Sequence, residues 1–473
     1  MQNKYNSVKP FFLILICTLI LFGISAIPND VFVFGIKLKK PNLFSDLKEK
    51  PNTLKPVFAS KIPTLTSKKE SVTSIIINAD SLSIIDFSVD TINNMQSFYK
   101  ALSELKKSRK KVRIAYFGDS MIEGDLLTMD LRTLFQNHFG GNGVGLVPIT
   151  SITAGFRTTI ISKFSDNWVV NSLIETKKKK QDLGILGYTY FANADSTNSA
   201  TQNAFTNYKA VGKRHLNNFE NAYLFYGKND EKSNYTFNNE NKKLAADNIV
   251  NIDTIFKNQK NKSFNLKFNV AENLPLYAVS MESDSGVVLD NISFRGNSGL
   301  PLSKIGKEVY EGFNKYLNYD LIILHYGLNV VSEKSTDYYW YKAGMTRTVN
   351  YLKKCFPNTA FLIVSVNDKS YKNPETDDFV TMPGVPVLVN MQKEIAKNCN
   401  TSFWNLYENM GGYNSMVKWV TADTTLANKD YTHLNFRGAN KVANMLYKAI
   451  DTDYKLWQQK QKNTETNSTI SIK

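Results

Sequence analysis

The chain has 473 residues, 42% of them hydrophobic and 12% aromatic, which excludes an intrinsically disordered protein and leaves room for two or three domains with a substantial core. The net charge is +16, but no aromatic-basic motif accompanies the lysines. Nucleic acid is therefore not an expected partner, and the surplus suits an anionic cell-wall polymer, lipid headgroups or a solvated lysine-rich surface. Three cysteines, Cys17, Cys355 and Cys399, allow at most one disulfide and no cysteine metal site.

At the N-terminus, Lys4 and Lys9 precede an uncharged run from Phe11 to Ile27, the layout of a secretory signal or a signal anchor over residues 1–30. Ser25-Ala26-Ile27 is a poor small-x-small cleavage site, and Ile16 is too bulky before Cys17 for lipoprotein-type cleavage. An uncleaved membrane anchor is favoured over a cleaved signal peptide, and either places the remainder outside the cytoplasm, in the periplasm or at the cell surface. Residues 31–75, rich in Pro, Ser, Thr and Lys, read as an extended linker. Ile92, Met95, Phe98, Leu102 and Leu105 then give residues 91–107 one apolar helical side.

From Val112 the pattern is strand, turn, helix: an apolar strand to Phe117, the turn Gly118-Asp119-Ser120, and Leu126, Leu127, Leu131 and Leu134 at helical spacing. Strands recur at Leu321 to His325, Ala360 to Val366 and Ser402 to Leu406. Helical segments recur near Tyr339 to Cys355, Val387 to Lys397 and Phe436 to Ile450. Such alternation predicts an α/β domain with a parallel sheet, in two parts spanning 76–164 and 286–458. Between them, residues 165–285 alternate apolar and polar positions, as in "SFNLKFNV", and predict an inserted β-sandwich of about 120 residues. Residues 459–473 read as a disordered tail.

A serine ester hydrolase needs a nucleophile, a base, a group that orients the base, and oxyanion donors. Ser120 stands where a buried strand turns into a helix. Of only four histidines, His433 has Asp430 three residues earlier, a spacing at which a short turn brings the carboxylate to Nδ1 and leaves Nε2 free for a hydroxyl proton. His138 lies in a helical stretch and His215 in the insertion. Taken alone, Asp and His three apart are frequent by chance.

The ordered blocks "FGDS", "GGNGVG", "YGLN" and "DYTH" together resemble the SGNH (GDSL-type) hydrolases. The resemblance covers both α/β parts, skips the insertion, and implies a flavodoxin-like three-layer fold. It implies Ser120 as nucleophile, His433 as base and Asp430 as its orienter. The oxyanion donors it implies are the backbone N–H of Ser120, that of Gly143, and the side-chain amide of Asn329. One departure is Val330 after Asn329, where the family often carries an acid. The insertion and "FWNLYENMGGYNSMVKW" resemble more closely the peptidoglycan O-acetylesterases of this superfamily, departing at Asn405, where an Asp is common.

This resemblance implies an esterase that removes O-acetyl groups from a cell-wall or surface glycan, peptidoglycan favoured, through an acetyl-serine and with no metal or organic cofactor. Two rivals remain: a glycan O-acetyltransferase working beside a membrane-bound O-acyltransferase, and a non-catalytic glycan-binding protein. Glu123 and Asp125 allow a metal site, although acids are at home at a helix N-terminus. His325 reads as a strand-end packing residue. Trp404 and Trp419 suit a sugar-binding surface or the core equally. Cys355 and Cys399, each ending a helical segment before a strand, are expected to pair.

Overall fold

The computed structural model describes residues 32–33, 36–37, 83–89, 94–105, 107, 111–174, 183–193, 203–212, 216–229, 233–245, 247–269 and 274–470. The Phe11 to Ile27 run, most of the linker and His215 lie outside them. Two compact units are present. In the unit Met1–Ser74, Phe32–Val33 pairs antiparallel with Ile36–Lys37. No described helix is long and apolar enough to cross a membrane.

The unit Ile75–Lys473 is organised by one sheet. Its strands are β1 (Ile85–Asp86), β2 (Lys111–Gly118), β3 (Gly286–Ser293), β4 (Leu321–His325), β5 (Ala360–Val364) and β6 (Ser402–Trp404), in the order β3-β2-β4-β5-β6-β1. All neighbours run parallel except the antiparallel edge strand β1. The apolar runs of β2, β4 and β5 are buried almost throughout, as a sheet covered on both faces requires. The long helices are α1 (Met95–Glu104), α2 (Thr128–Phe139), α3 (Lys307–Leu317), α4 (Tyr339–Cys355), α5 (Gly384–Asn398) and α6 (Phe436–Ile470), with two short ones at Leu406–Met410 and Ser415–Thr421. The long helices form two packed groups, α1 with α2 and α6, and α3 with α4 and α5, completing the three-layer arrangement.

In register, Ser293, Gly118, His325 and Val364 end adjacent strands at one edge. Loops leaving these C-terminal ends are where an open parallel sheet places its ligands. Helix α6 departs from expectation by running on to Ile470 instead of stopping near Ile450. Tyr454 and Trp457 continue its packing side, with the Tyr454 ring 6.0 Å from Tyr99 and 6.2 Å from Trp457, which gives the residues after 450 a surface to bury.

The inserted sandwich is larger than residues 165–285. One antiparallel sheet has the order Asn251–Phe256, Asn221–Tyr226, Leu276–Glu282, Tyr188–Ala192, Trp168–Ser172, with Gly143–Val147 added beside Leu276–Glu282. The other runs Glu240–Lys243, Asn234–Phe237, Ser263–Asn269, Asn203–Ala210, Ile160–Phe164. Aromatic and branched residues from both inner faces, among them Tyr190, Tyr208, Phe264 and Phe268, make a core separate from that under the parallel sheet. The sandwich is tied to that sheet by Arg113 of β2, whose guanidinium donates to Asp290 of β3 at 2.7 Å and also pairs with Glu282.

One further expectation, the pairing of Cys355 with Cys399, is corrected here. Cys355 and Cys399 are both buried free thiols. The Cys399 Sγ instead donates to the Thr346 carbonyl at 3.7 Å. Trp404 and Trp419 are buried at 0% and 5% exposure, so both serve the core and neither offers a sugar platform. No cluster of metal-ligating residues exists among the described residues. Asp125 is consumed by Arg132, and Glu123 by Arg295.

Candidate active site

Gly118 ends β2 beneath the turn that carries Ser120. A Cβ there would stand 2.9 Å from the Ile122 side chain and 3.2 Å from the His325 carbonyl oxygen, so only glycine lets the chain turn this close to β4. Ser120 Oγ lies 2.9 Å from His433 Nε2, and His433 Nδ1 lies 2.8 Å from Asp430 Oδ2. The other Asp430 oxygen accepts the backbone N–H groups of Thr432 and His433, each at 3.0 Å. Burial pushes the Asp430 carboxyl up, but these N–H groups and the imidazole outweigh it and hold it below the usual range. An ionised Asp430 fixes the tautomer in which Nδ1 carries the proton and Nε2 is free to accept one from the serine.

The turn bearing Asp430 and His433 is braced from outside. Tyr431 has φ 54°, a left-handed conformation costly for an aromatic residue. Its ring stacks on Phe379, with centroids 3.7 Å apart and planes within 4°. Phe379 belongs to a small hairpin, Ser370–Lys372 with Phe379–Thr381, and Ser370 N–H donates to the Tyr431 carbonyl at 3.0 Å. Neither aromatic was singled out by sequence, because nothing in spacing alone links positions 379 and 431.

Asp119 is almost wholly buried beside Ser120. Its Oδ1 accepts Met121 N–H at 3.0 Å and its Oδ2 accepts the Asn329 amide at 3.0 Å. Burial is the largest influence on it and raises its carboxyl to about 6, against the opposing pull of the Met121 N–H, His433 and Asn329. Asn329 also donates to the Asn297 carbonyl at 3.2 Å. Both hydrogens of the amide expected to serve an oxyanion thus already have protein acceptors. His325, the strand-end packing residue, is buried with Nδ1 3.1 Å from the Tyr116 hydroxyl, and burial lowers it to about 4.

Ser120, Asn329, Asp430 and His433 line one cavity of about 700 Å³, with Lys369, Phe156 and Gly296 also on its wall. Gly143 is not brought there. It opens a sandwich strand opposite Glu282, and its N–H is given to Asn142 Oδ1 at 2.6 Å. A Cβ on Gly143 would collide with the Met281 carbonyl. The glycine block therefore permits close passage of the chain past the backbone of Met281 and Val287. Gly296, in contrast, lines the cavity with Ser120. It follows β3 just as Ser120 follows β2, and Phe294 N–H is bonded to the Gly118 carbonyl at 3.0 Å. Among the described residues, neither the Ser120 nor the Gly296 backbone N–H has an acceptor within the protein. The signal for Gly296 was present in "RGNSG", which follows "GVVLDNISF", a segment whose apolar start Val287 to Leu289 reads as a strand.

A parallel α/β sheet interrupted by a sandwich, with these loops at its C-terminal edge, is a fold this chain shares with a solved structure. The likeness is to a solved peptidoglycan O-acetylesterase, at TM-score 0.64 and 18% identity, covering 79% of this chain and 99% of that one. Two other solved structures give lower TM-scores. An acetyl xylan esterase gives TM-score 0.28 at 20% identity over 34% of this chain and 81% of its own. A family two carbohydrate esterase from Clostridium thermocellum gives 0.27 at 10% identity over 60% and 98%. No family model and no curated protein matches the sequence.

Proposed function

We propose that the protein is an SGNH-type serine esterase that removes O-acetyl groups from a glycan, with peptidoglycan the favoured polymer, and that it works outside the cytoplasm on an N-terminal membrane anchor. The observation that carries this reading is the chain Ser120 Oγ, His433 and Asp430, at 2.9 and 2.8 Å, opening on a cavity that two unspent backbone N–H groups also line. The fold shared with a peptidoglycan O-acetylesterase supports the substrate class.

Ser120 Oγ attacks the acetyl carbonyl carbon while His433 Nε2 takes its proton. Negative charge grows on the carbonyl oxygen, where the N–H groups of Ser120 and Gly296 donate to it. Collapse breaks the bond to the sugar oxygen, which receives the proton from His433, and leaves acetyl-Ser120. Water then attacks the acyl carbon, His433 takes its proton, and acetate departs as that proton returns to Ser120 Oγ. Asn329, held by Asp119 and the Asn297 carbonyl, fixes the loop next to these donors. No step draws on a metal or an organic cofactor. The test is acetate release from O-acetylated peptidoglycan and other acetylated glycans. Acetate in proportion to enzyme supports hydrolysis, whereas acetyl groups recovered on added oligosaccharide would make the protein a transferase, and no loss of acetyl from any glycan would overturn the reading.

A further inference from the structure

The sandwich reaches into the active site. The segment Pro148 to Arg157, leaving the strand Gly143–Val147, returns to the catalytic half and places Phe156 on the wall of the cavity that holds Ser120. Phe156 packs so closely that its Cβ would stand 3.3 Å from a Cβ on Gly124, which has φ 66°. On the other side of Glu123 and Gly124 lies a second cavity, of about 200 Å³, lined among others by Thr153, Ala154, Tyr188 and Tyr190. Glu123 and Gly124 belong to both cavities, so the two adjoin.

This second cavity is rigidly built. Asp125 beneath it accepts from Arg132 at 2.7 and 2.8 Å, from Thr128 and Thr159 at 2.6 Å each, and from Arg157 at 3.4 Å. Those bonds join the turn after Ser120 to the sandwich segment. The charges near the cavity are already spent, with Asp125 on Arg132 and Arg157 and Glu123 on Arg295. The hydroxyl groups of Thr150, Ser151 and Ser162 remain for a ligand, beside the edge of Tyr188, whose ring already stacks on Tyr190 at 6.0 Å and on Phe294 at 4.8 Å. Large apolar side chains stand exposed at the rim, Ile152 at 95% and Phe156 at 72%. A small, partly apolar cavity with a few hydroxyls and no free charge suits a neutral pyranose ring. An acetyl group also fills only a small part of 700 Å³, which leaves room for a sugar chain in the first cavity.

We propose that the second cavity is a glycan subsite, holding the sugar next to the acetylated unit, so that the enzyme prefers oligomers to single acetylated sugars. The proposal rests on the esterase reading for its substrate but not for its binding. Ala154 contributes no hydrogen-bonding side chain, so Ala154→Trp fills the cavity without removing a bond; Thr153→Tyr is the reserve if that variant fails to fold. The probes are unacetylated chitooligosaccharides of increasing length, followed by calorimetry, and their O-acetylated forms, followed by acetate release.

Wild-type affinity and kcat/KM should each rise about tenfold or more from one sugar to three, equivalent to about 1.4 kcal/mol. The variant should flatten both series. A rise that survives in a folded variant, or wild-type binding with no dependence on length, overturns the subsite. A length-dependent affinity that the variant abolishes, with no acetate released by the wild type, upholds the subsite and sinks the esterase reading instead.

Discussion

Replacing Asp119 with asparagine tests how the site's buried acid is held. An ordinary carboxyl titrates at 3.8, and burial raises this one to about 6. At about 1.4 kcal/mol for each tenfold change in proton affinity, keeping it ionised costs the folded state about 3 kcal/mol. The sign follows from proton counting: between pH 3.8 and about 6 the folded protein holds a proton that the unfolded chain has released. Stability is therefore lost as pH rises through that window and is level above it. Asp119→Asn does not titrate, so its stability relative to wild type should climb by about 2 kcal/mol from pH 4 to pH 7. Urea denaturation of both proteins at a series of pH values measures this, since the remaining carboxyls cancel in the difference. A difference that does not vary with pH would refute the reasoning. Activity should fall in the same variant, because the Asn329 amide loses its carboxylate acceptor.

Gly296→Ala should lower kcat by displacing an oxyanion N–H, whereas Gly143→Ala should lower the melting temperature and leave kcat of the folded fraction unchanged; steady-state kinetics with calorimetry separates them. Phe379→Ala removes a stack worth about 0.5 to 1.5 kcal/mol, so kcat for a small acetate ester should drop up to about tenfold with little change in KM. Phe379→Tyr should restore it, and full activity in Phe379→Ala would show that the Tyr431 turn needs no brace. Arg113→Leu strands two buried acids, Asp290 and Glu282, and should cost about 3 to 5 kcal/mol in chemical denaturation.

The parallel sheet was legible because its strands carry unbroken apolar runs and its helices a clear period. Leu321 to His325 and Tyr339 to Cys355 fall where the spacing places them. The pair Asp430 and His433 was legible because a three-residue turn is local. Gly143 misled because four glycines in six residues look alike whether they cradle an anion or slip past the backbone of Met281 and Val287. That distinction depends on strands more than a hundred residues away. The sandwich began earlier than expected because Gly143–Val147 and Ile160–Phe164 find their partners only in later sequence. The disulfide failed for a similar reason. Standing at helix ends does not make two thiols face each other, and Cys399 turns to Thr346.

Esterase chemistry at this site requires acyl transfer through Ser120. Rapid quenching of the wild-type protein with a small activated acetate ester, followed by peptide mass spectrometry, should find one acetyl group on the peptide containing Ser120. That group should be absent in Ser120→Ala, which should also lose turnover. Acetyl on a different residue, or turnover that persists in folded Ser120→Ala, would contradict the account.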